Sequence, residues 1–223
     1  MGGIASLEEA CFAKWQERRP LAVPDGAVHP ATYEASDPKL LFILKEVNDI
    51  HDPNWDLREF LRKDCGRRQT WNNVARWVTA LSLGGANRRW DQIRDVENVR
   101  RCRLRGIAAM NVKKTTGSGS SDWNELAKFA SEDACHLKEQ FGIYEPDIAV
   151  LCGVPLDWIP QFKGIDPQHT RRGIEFREYK KAKFGIRFWH PQARYPAQFL
   201  YYSLADAATE IREQSRISAT NGN

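Results

Sequence analysis

His190, Arg194 and Tyr195 share one short loop, His190-Pro191-Gln192-Ala193-Arg194-Tyr195-Pro196, directly after the apolar run at residues 184–189. That run reads as a strand, and loops at strand ends are where rigid scaffolds carry chemistry. Pro191 and Pro196 each fix φ, so the loop is expected to be stiff. An imidazole, a guanidinium and an aromatic side by side suit action on a phosphodiester chain. The plainer alternative is a strand-to-helix turn with a solvated arginine.

Three more polar clusters follow apolar runs: Glu46, Asn48 and Asp49 after residues 39–45; Asn111, Lys113 and Lys114 after the run at 106–112; and Cys152-Gly153 after 148–151. A carboxylate or carboxamide can orient water, an asparagine can read a base edge, and a histidine can face a departing anion. Together these suit hydrolysis of an N-glycosidic bond. Its transition state is oxocarbenium-like, so negative charge builds on the leaving base. One positioned donor is worth ~2.7–4 kcal/mol to such an anion. The attacking water needs only positioning and a weak base. The chain carries no Ser-His-Asp signature, no phosphate loop of the G-x-x-x-x-G-K type and no H-E-x-x-H, the motifs of other hydrolytic classes.

These clusters need a scaffold that gathers strand ends. Residues 6–18 read as an amphipathic helix, and residues 20–30 as a connection bearing proline and glycine. The run at 39–45 has the pattern of a strand buried on both faces. Asp56 is placed to cap a helix over 57–63, and Thr70 one over 71–83. Residues 91–105 are highly charged and read as surface. Asp122 opens a helix to about Phe141. Residues 175–180 pair as a hairpin with the strand at 184–189, and 195–214 form the closing helix. Strands alternating with helices give a mostly parallel sheet. The fold expected is a three-layer α/β/α sandwich around a central, mostly parallel four-stranded sheet. Ligands in such folds sit beyond the carboxyl ends of the strands, so the four clusters should converge on one edge.

A chain of 223 residues with 42% hydrophobic and 28% charged content is ordinary for a soluble globular protein. It suits one domain over residues 1–215, followed by a flexible tail at 216–223. No apolar run approaches the ~20 residues that span a bilayer, and the N-terminus lacks a signal-like core, so a cytoplasmic, monomeric protein is expected. Five scattered cysteines without a C-x-x-C pair point to free thiols and away from disulfides or zinc. Neither a metal nor a cofactor is expected. The net charge is only +4, but basic residues come in pairs, among them Arg67-Arg68, Arg88-Arg89, Arg100-Arg101 and Lys113-Lys114. Phosphate binding needs such charge and base stacking needs flat side chains. Only the basic residues near the strand-end edge are assigned to DNA here; the others read as solvated surface.

Four landmarks in order resemble the uracil-DNA glycosylase superfamily. They are the strand LLFIL at 40–44 before a polar loop, Asn111-Val112-Lys113-Lys114 like that family's N-V-x-K block, Pro146-Asp147-Ile148-Ala149-Val150-Leu151-Cys152-Gly153 like its P-D-x-x-V-x-x-G strand, and His190-Pro191 like its H-P-S loop. The last loop is most similar to the H-P-S-P-R-N-P loop of the single-strand-selective branch. The similarity covers roughly residues 40–204. It implies a single glycosylase-like domain that excises a base from DNA without metal or cofactor. His190 would stabilise the leaving-base oxyanion and Asn111 would read the base edge. Lys113 and Lys114 would contact DNA, while Arg194 and Tyr195 would wedge into it as the target nucleotide is flipped out. Trp55 is the candidate to stack on the flipped base; its alternative is to anchor the following helix.

The first motif departs from the family. Lys45-Glu46-Val47-Asn48-Asp49 stands where the family has G-Q-D-P, G-x-N-P-G or G-E-A-P-G, and Gln192 replaces the serine of H-P-S. Glu46, Asn48 and Asp49 are all open as the residue that positions the water. A remodelled pocket entry suits a modified or larger base, such as the hypermodified, glucosylated cytosines of some phages, and with it a role in antiviral defence. Lys45, beside the loop, keeps a Schiff-base route open. Two alternatives stand: a non-catalytic module that binds DNA or a modified base on the same fold, and a hydrolase of free nucleosides.

Overall fold

In a computed structural model of the chain, the apolar runs become the middle of a single sheet. The structure describes residues 2–48, 55–63, 69–117 and 121–221, and of residues 48 and 218–221 the backbone only. In chain order the elements are α1 (Ile4–Arg18), β1 (Gly26–Ala27), α2 (Pro30–Glu34), β2 (Leu40–Leu44), β3 (Val47–Asn48), α3 (Leu57–Arg62), α4 (Gln69–Leu81), α5 (Arg100–Arg105), β4 (Ile107–Asn111) and β5 (Thr116–Gly117). There follow α6 (Trp123–Glu132), α7 (Ala134–Tyr144), β6 (Ile148–Cys152), β7 (Gln168–His169), β8 (Glu175–Lys180), β9 (Lys183–Phe188) and α8 (Ala197–Asn221).

The expected central strands run parallel in the order β4-β2-β6-β9. The sheet is wider than four strands, because β1 pairs antiparallel with β4 on one side and β8 and β7 extend β9 on the other, making seven. Two-residue strands such as β1 and β7 are too short to carry a period in the sequence.

Alternation along the strands produces the three layers. Leu40, Phe42 and Leu44 face one core with Ile107, Val150 and Ile186, covered by Trp71, Val74 and Trp77 of α4 and by Leu200, Leu204 and Ile211 of α8. Leu41, Ile43, Ala108, Met110 and Leu151 face the other, covered by Phe12 and Trp15 of α1 and by Leu137 and Phe141 of α7. A side-chain period of two sends successive residues to opposite faces, and both faces of a parallel sheet must be covered. Gly185 belongs to the second face: a Cβ there would lie 2.5 Å from the ring of Phe162.

Asp56 caps α3, accepting from the Arg58 backbone N–H at 2.7 Å, and Asp122 caps α6 through Asn124 and Glu125. Thr70 lies inside α4 rather than at its cap. The helix expected from Asp122 to Phe141 divides at Asp133, whose carboxylate is buried and salt-bridged to Arg18 and Arg19. The closing helix continues to Asn221 through the segment expected as a tail. Among the described residues, no helix is long and apolar enough to cross a membrane.

Candidate active site

Because β2, β6 and β9 are parallel, Lys45, Gly153 and His190, each just past one of them, emerge at the same end of the sheet. They line a cavity of about 450 Å³ with Trp123, Trp189 and Arg187, within the size range of small-molecule sites. Gly153 makes the close approach possible. Its φ is +70°, and a Cβ there would lie 3.2 Å from the His190 Cβ and 3.5 Å from the Lys45 Cε. The Lys45 ammonium sits 4.6 Å from the centre of the Trp123 ring, which is half exposed.

The Gln192 backbone N–H donates to His190 Nδ1 at 3.2 Å. Nδ1 is therefore the acceptor, and the proton of the neutral ring sits on Nε2. Burial, with the Lys45 charge second, pulls the imidazole down to about 4. His190 is thus a neutral hydrogen-bond donor at physiological pH. The folded state binds the imidazolium proton more weakly than the unfolded chain does. Acidification from the ordinary histidine value of 6.5 toward 4 therefore favours unfolding through this ring. His190→Gln is expected to flatten that part of the stability–pH curve, measured by urea unfolding at several pH values. An unchanged slope in the variant contradicts a half-buried ring held neutral.

Glu46 does not line the cavity. Its side chain is 5% exposed and accepts from Lys113 Nζ at 3.0 Å, and Lys113 also donates to Glu125 at 2.8 Å. Burial pulls the Lys113 ammonium down, but its bonds to Glu125 and Glu46 outweigh that and the net direction is up. The other Glu46 oxygen, Oε1, is buried and has no protein partner among the described residues. Two short strands hold this corner, since β3 pairs parallel with β5 through Val47↔Thr116 and Asn48↔Gly117. A Cβ on Gly117 would fall 2.2 Å from the Glu46 carboxylate. Gly117→Ala must displace that carboxylate from Lys113, with an expected loss of ~1–3 kcal/mol, read from the urea midpoint. Unchanged stability contradicts a pinned Glu46.

Asn111 and Lys114 are also drawn away from a ligand. Asp25, fully buried, accepts from Lys114 Nζ at 2.8 Å with both oxygens, from the Asn111 backbone N–H at 2.7 Å, from Asn111 Nδ2 at 3.3 Å and from Gln140 Nε2 at 2.7 Å. Gln140 leads on to Tyr144, Glu8 and Arg58. Asn111, read from the sequence as a base reader, and Lys113 and Lys114, read as DNA contacts, are all buried and bonded to protein carboxylates.

Trp55 is half-buried, packs against the core beneath α3 and stacks obliquely on Phe60 at 5.6 Å, the anchoring arrangement. Asn48 belongs to β3 by its backbone, and Asp49 lies outside the described residues. Arg194 and Tyr195 are exposed; the Tyr195 ring lies 5.7 Å from both Trp189 and Phe199. The loop is anchored from α4, where buried Asn73 donates to the Pro191 carbonyl at 2.7 Å. Trp123 and Arg187 escaped the sequence reading. An aromatic at the start of an exposed helix and an arginine on a strand carry no spacing signal for a pocket. Four of the five cysteines, Cys11, Cys102, Cys135 and Cys152, are free thiols, and Cys65 lies outside the described residues. Compared with models of known protein families and with curated protein sequences, the chain matches none.

Proposed function

We propose that the chain is a monofunctional DNA glycosylase that hydrolyses the N-glycosidic bond of a flipped-out pyrimidine, uracil or a modified base, and leaves an abasic site. The observation that carries this is a neutral His190, with its donor proton on Nε2, in a cavity it shares with Lys45 and Trp123. A leaving pyrimidine anion needs a donor and nearby positive charge. An imidazolium would repel the cationic sugar as well as attract the base, whereas a neutral N–H favours the anion alone. Lys45 supplies charge from the side, and Trp123 and Trp189 offer flat faces to a base. A cavity of about 450 Å³ has room for a pyrimidine bearing a bulky substituent. Of the candidates for positioning the water, Glu46 is the one whose side chain is described, and its carboxylate is held against Lys113.

One observation favours a second reading, a non-catalytic binder of a modified base: Glu46 is salt-bridged and outside the cavity wall. Alkali treatment separates the two. DNA carrying uracil or modified pyrimidines, incubated with the protein, acquires alkali-labile sites if the base is hydrolysed. DNA that is bound and remains alkali-stable supports the binder. Breaks that form without alkali indicate a lyase through Lys45.

A further inference from the structure

Contacts tie Arg76 and Arg88 to the His190 loop, and the charge of Arg103 is felt by both. The chain of contacts is continuous. Asn73, which holds the Pro191 carbonyl, accepts from Arg76 Nη1 at 2.9 Å. The Arg76 guanidinium lies 5.7 Å from the Trp90 ring, Trp90 lies against Tyr201, and Tyr201 against Tyr202. Tyr202 donates its hydroxyl to the Arg88 carbonyl at 2.8 Å. From the other side, Trp189 of the cavity wall touches Tyr195 and Phe199, and Phe199 stands one helical turn before Tyr202 on α8.

Arg89 has Asp91, but among the described residues Arg76, Arg88 and Arg103 have no carboxylate within salt-bridge distance; Arg76 is held by the Arg94 carbonyl and Asn73, with Asp95 acting on it only at longer range. Arg103 Nη1 is buried with no hydrogen-bond partner. Burial, and after it the charge of Arg103, pulls Arg76 down; Arg103 is likewise lowered by burial and, more weakly, by Arg88. Folding that gathers like charges without a carboxylate between them favours an anion at the exposed member, Arg88. A phosphodiester strand is the anion that also has bases for the exposed rings of Tyr195 and Phe199.

We propose that Arg76, Arg88 and Arg103 form a second nucleic-acid contact, which takes the backbone of a strand that leaves the His190 cavity over Trp189, Tyr195 and Phe199. This rests on the reading of the cavity as the place where a nucleotide of that strand enters. The contact is expected to set affinity and salt dependence, leaving the chemistry at His190 untouched.

The test is fluorescence anisotropy of the full chain with an unmodified single-stranded 20-nucleotide DNA across a salt series. The variants are Arg88→Ala/Arg103→Gln and, because Arg88 is exposed and its replacement leaves the core alone, Arg88→Glu by itself. The double variant should bind roughly 10- to 100-fold more weakly and lose about 1.4 from the salt slope, since each phosphate contact on a single strand adds ~0.7. Arg88→Glu should weaken binding in the same direction, and His190→Ala should keep the wild-type slope. On a four-nucleotide strand, too short to leave the cavity, the arginine variants should bind like wild type. Wild-type affinity and slope in both arginine variants overturn the proposal. Arginine-dependent binding without base release upholds this contact and fails the glycosylase reading; base release with no arginine effect does the reverse.

Discussion

If the protein is the glycosylase proposed above, His190→Ala is expected to lower the rate of base release by about 10²–10³-fold, the loss seen when a single oxyanion donor is removed elsewhere. The ring is half-buried at the end of β9 and its Nδ1 is already engaged by the Gln192 N–H. Removal therefore deletes the donor assigned to the leaving base in this proposal and leaves the sheet intact. The loss should fall on kcat more than on KM, because the anion exists only in the transition state. His190→Gln, whose carboxamide can still donate, should recover part of the rate. The pH profile gives an independent check. With the imidazole near 4, the active neutral form persists through mildly acidic solution, so no acid limb near pH 6.5 should come from this residue. Equal activity of His190→Ala and wild type removes His190 from the chemistry.

Asp25→Ala is the most damaging substitution expected for stability. Its carboxylate is the only carboxylate partner of the Lys114 ammonium among the described residues, and both are completely buried. Loss of one member of a buried ion pair strands the other charge, a destabilisation of ~3–5 kcal/mol. Total stability for a domain is ~5–15 kcal/mol, so a large part of it is lost. Asn111 and Gln140 lose their acceptor in the same change. The pair can be separated from its hydrogen-bonded neighbours by a double-mutant cycle. Asp25→Leu with Lys114→Met should be less destabilised than the sum of the single changes, by an interaction energy up to ~3 kcal/mol. Urea unfolding of the four proteins reads this directly. Additive effects mean that the pair is not coupled.

The layered fold was legible because its signals are local. LLFIL at β2, IAAMN at β4 and IAVLC at β6 are short apolar runs bounded by polar residues, and the intervening helices enforce parallel order. The edge strands were not, since Gly26–Ala27 and Gln168–His169 become strands only through their neighbours. His190 was legible as a strand-end residue beside a proline. The lysines misled: Lys113 and Lys114 read as surface charge, and only the fold supplies Glu46, Glu125 and Asp25 as partners. Asp25 itself sits in a proline-bearing connection with nothing in its spacing to mark it. The same holds for Arg76, Arg88 and Arg103, which the packing of α5 and α8 against α4 brings to one side of the fold and no motif marks. Trp123 joins the cavity from the first residue of α6, far along the chain from Lys45 and His190.

The most direct test of the glycosylase reading is mass spectrometry of the bases released from DNAs that carry uracil, methylated, hydroxymethylated or glucosylated pyrimidines, with wild type and His190→Ala side by side. The expected result is one free pyrimidine released stoichiometrically with abasic sites by wild type, and strongly reduced release by the variant. No free base from any of these DNAs, under conditions where the protein demonstrably binds them, contradicts it.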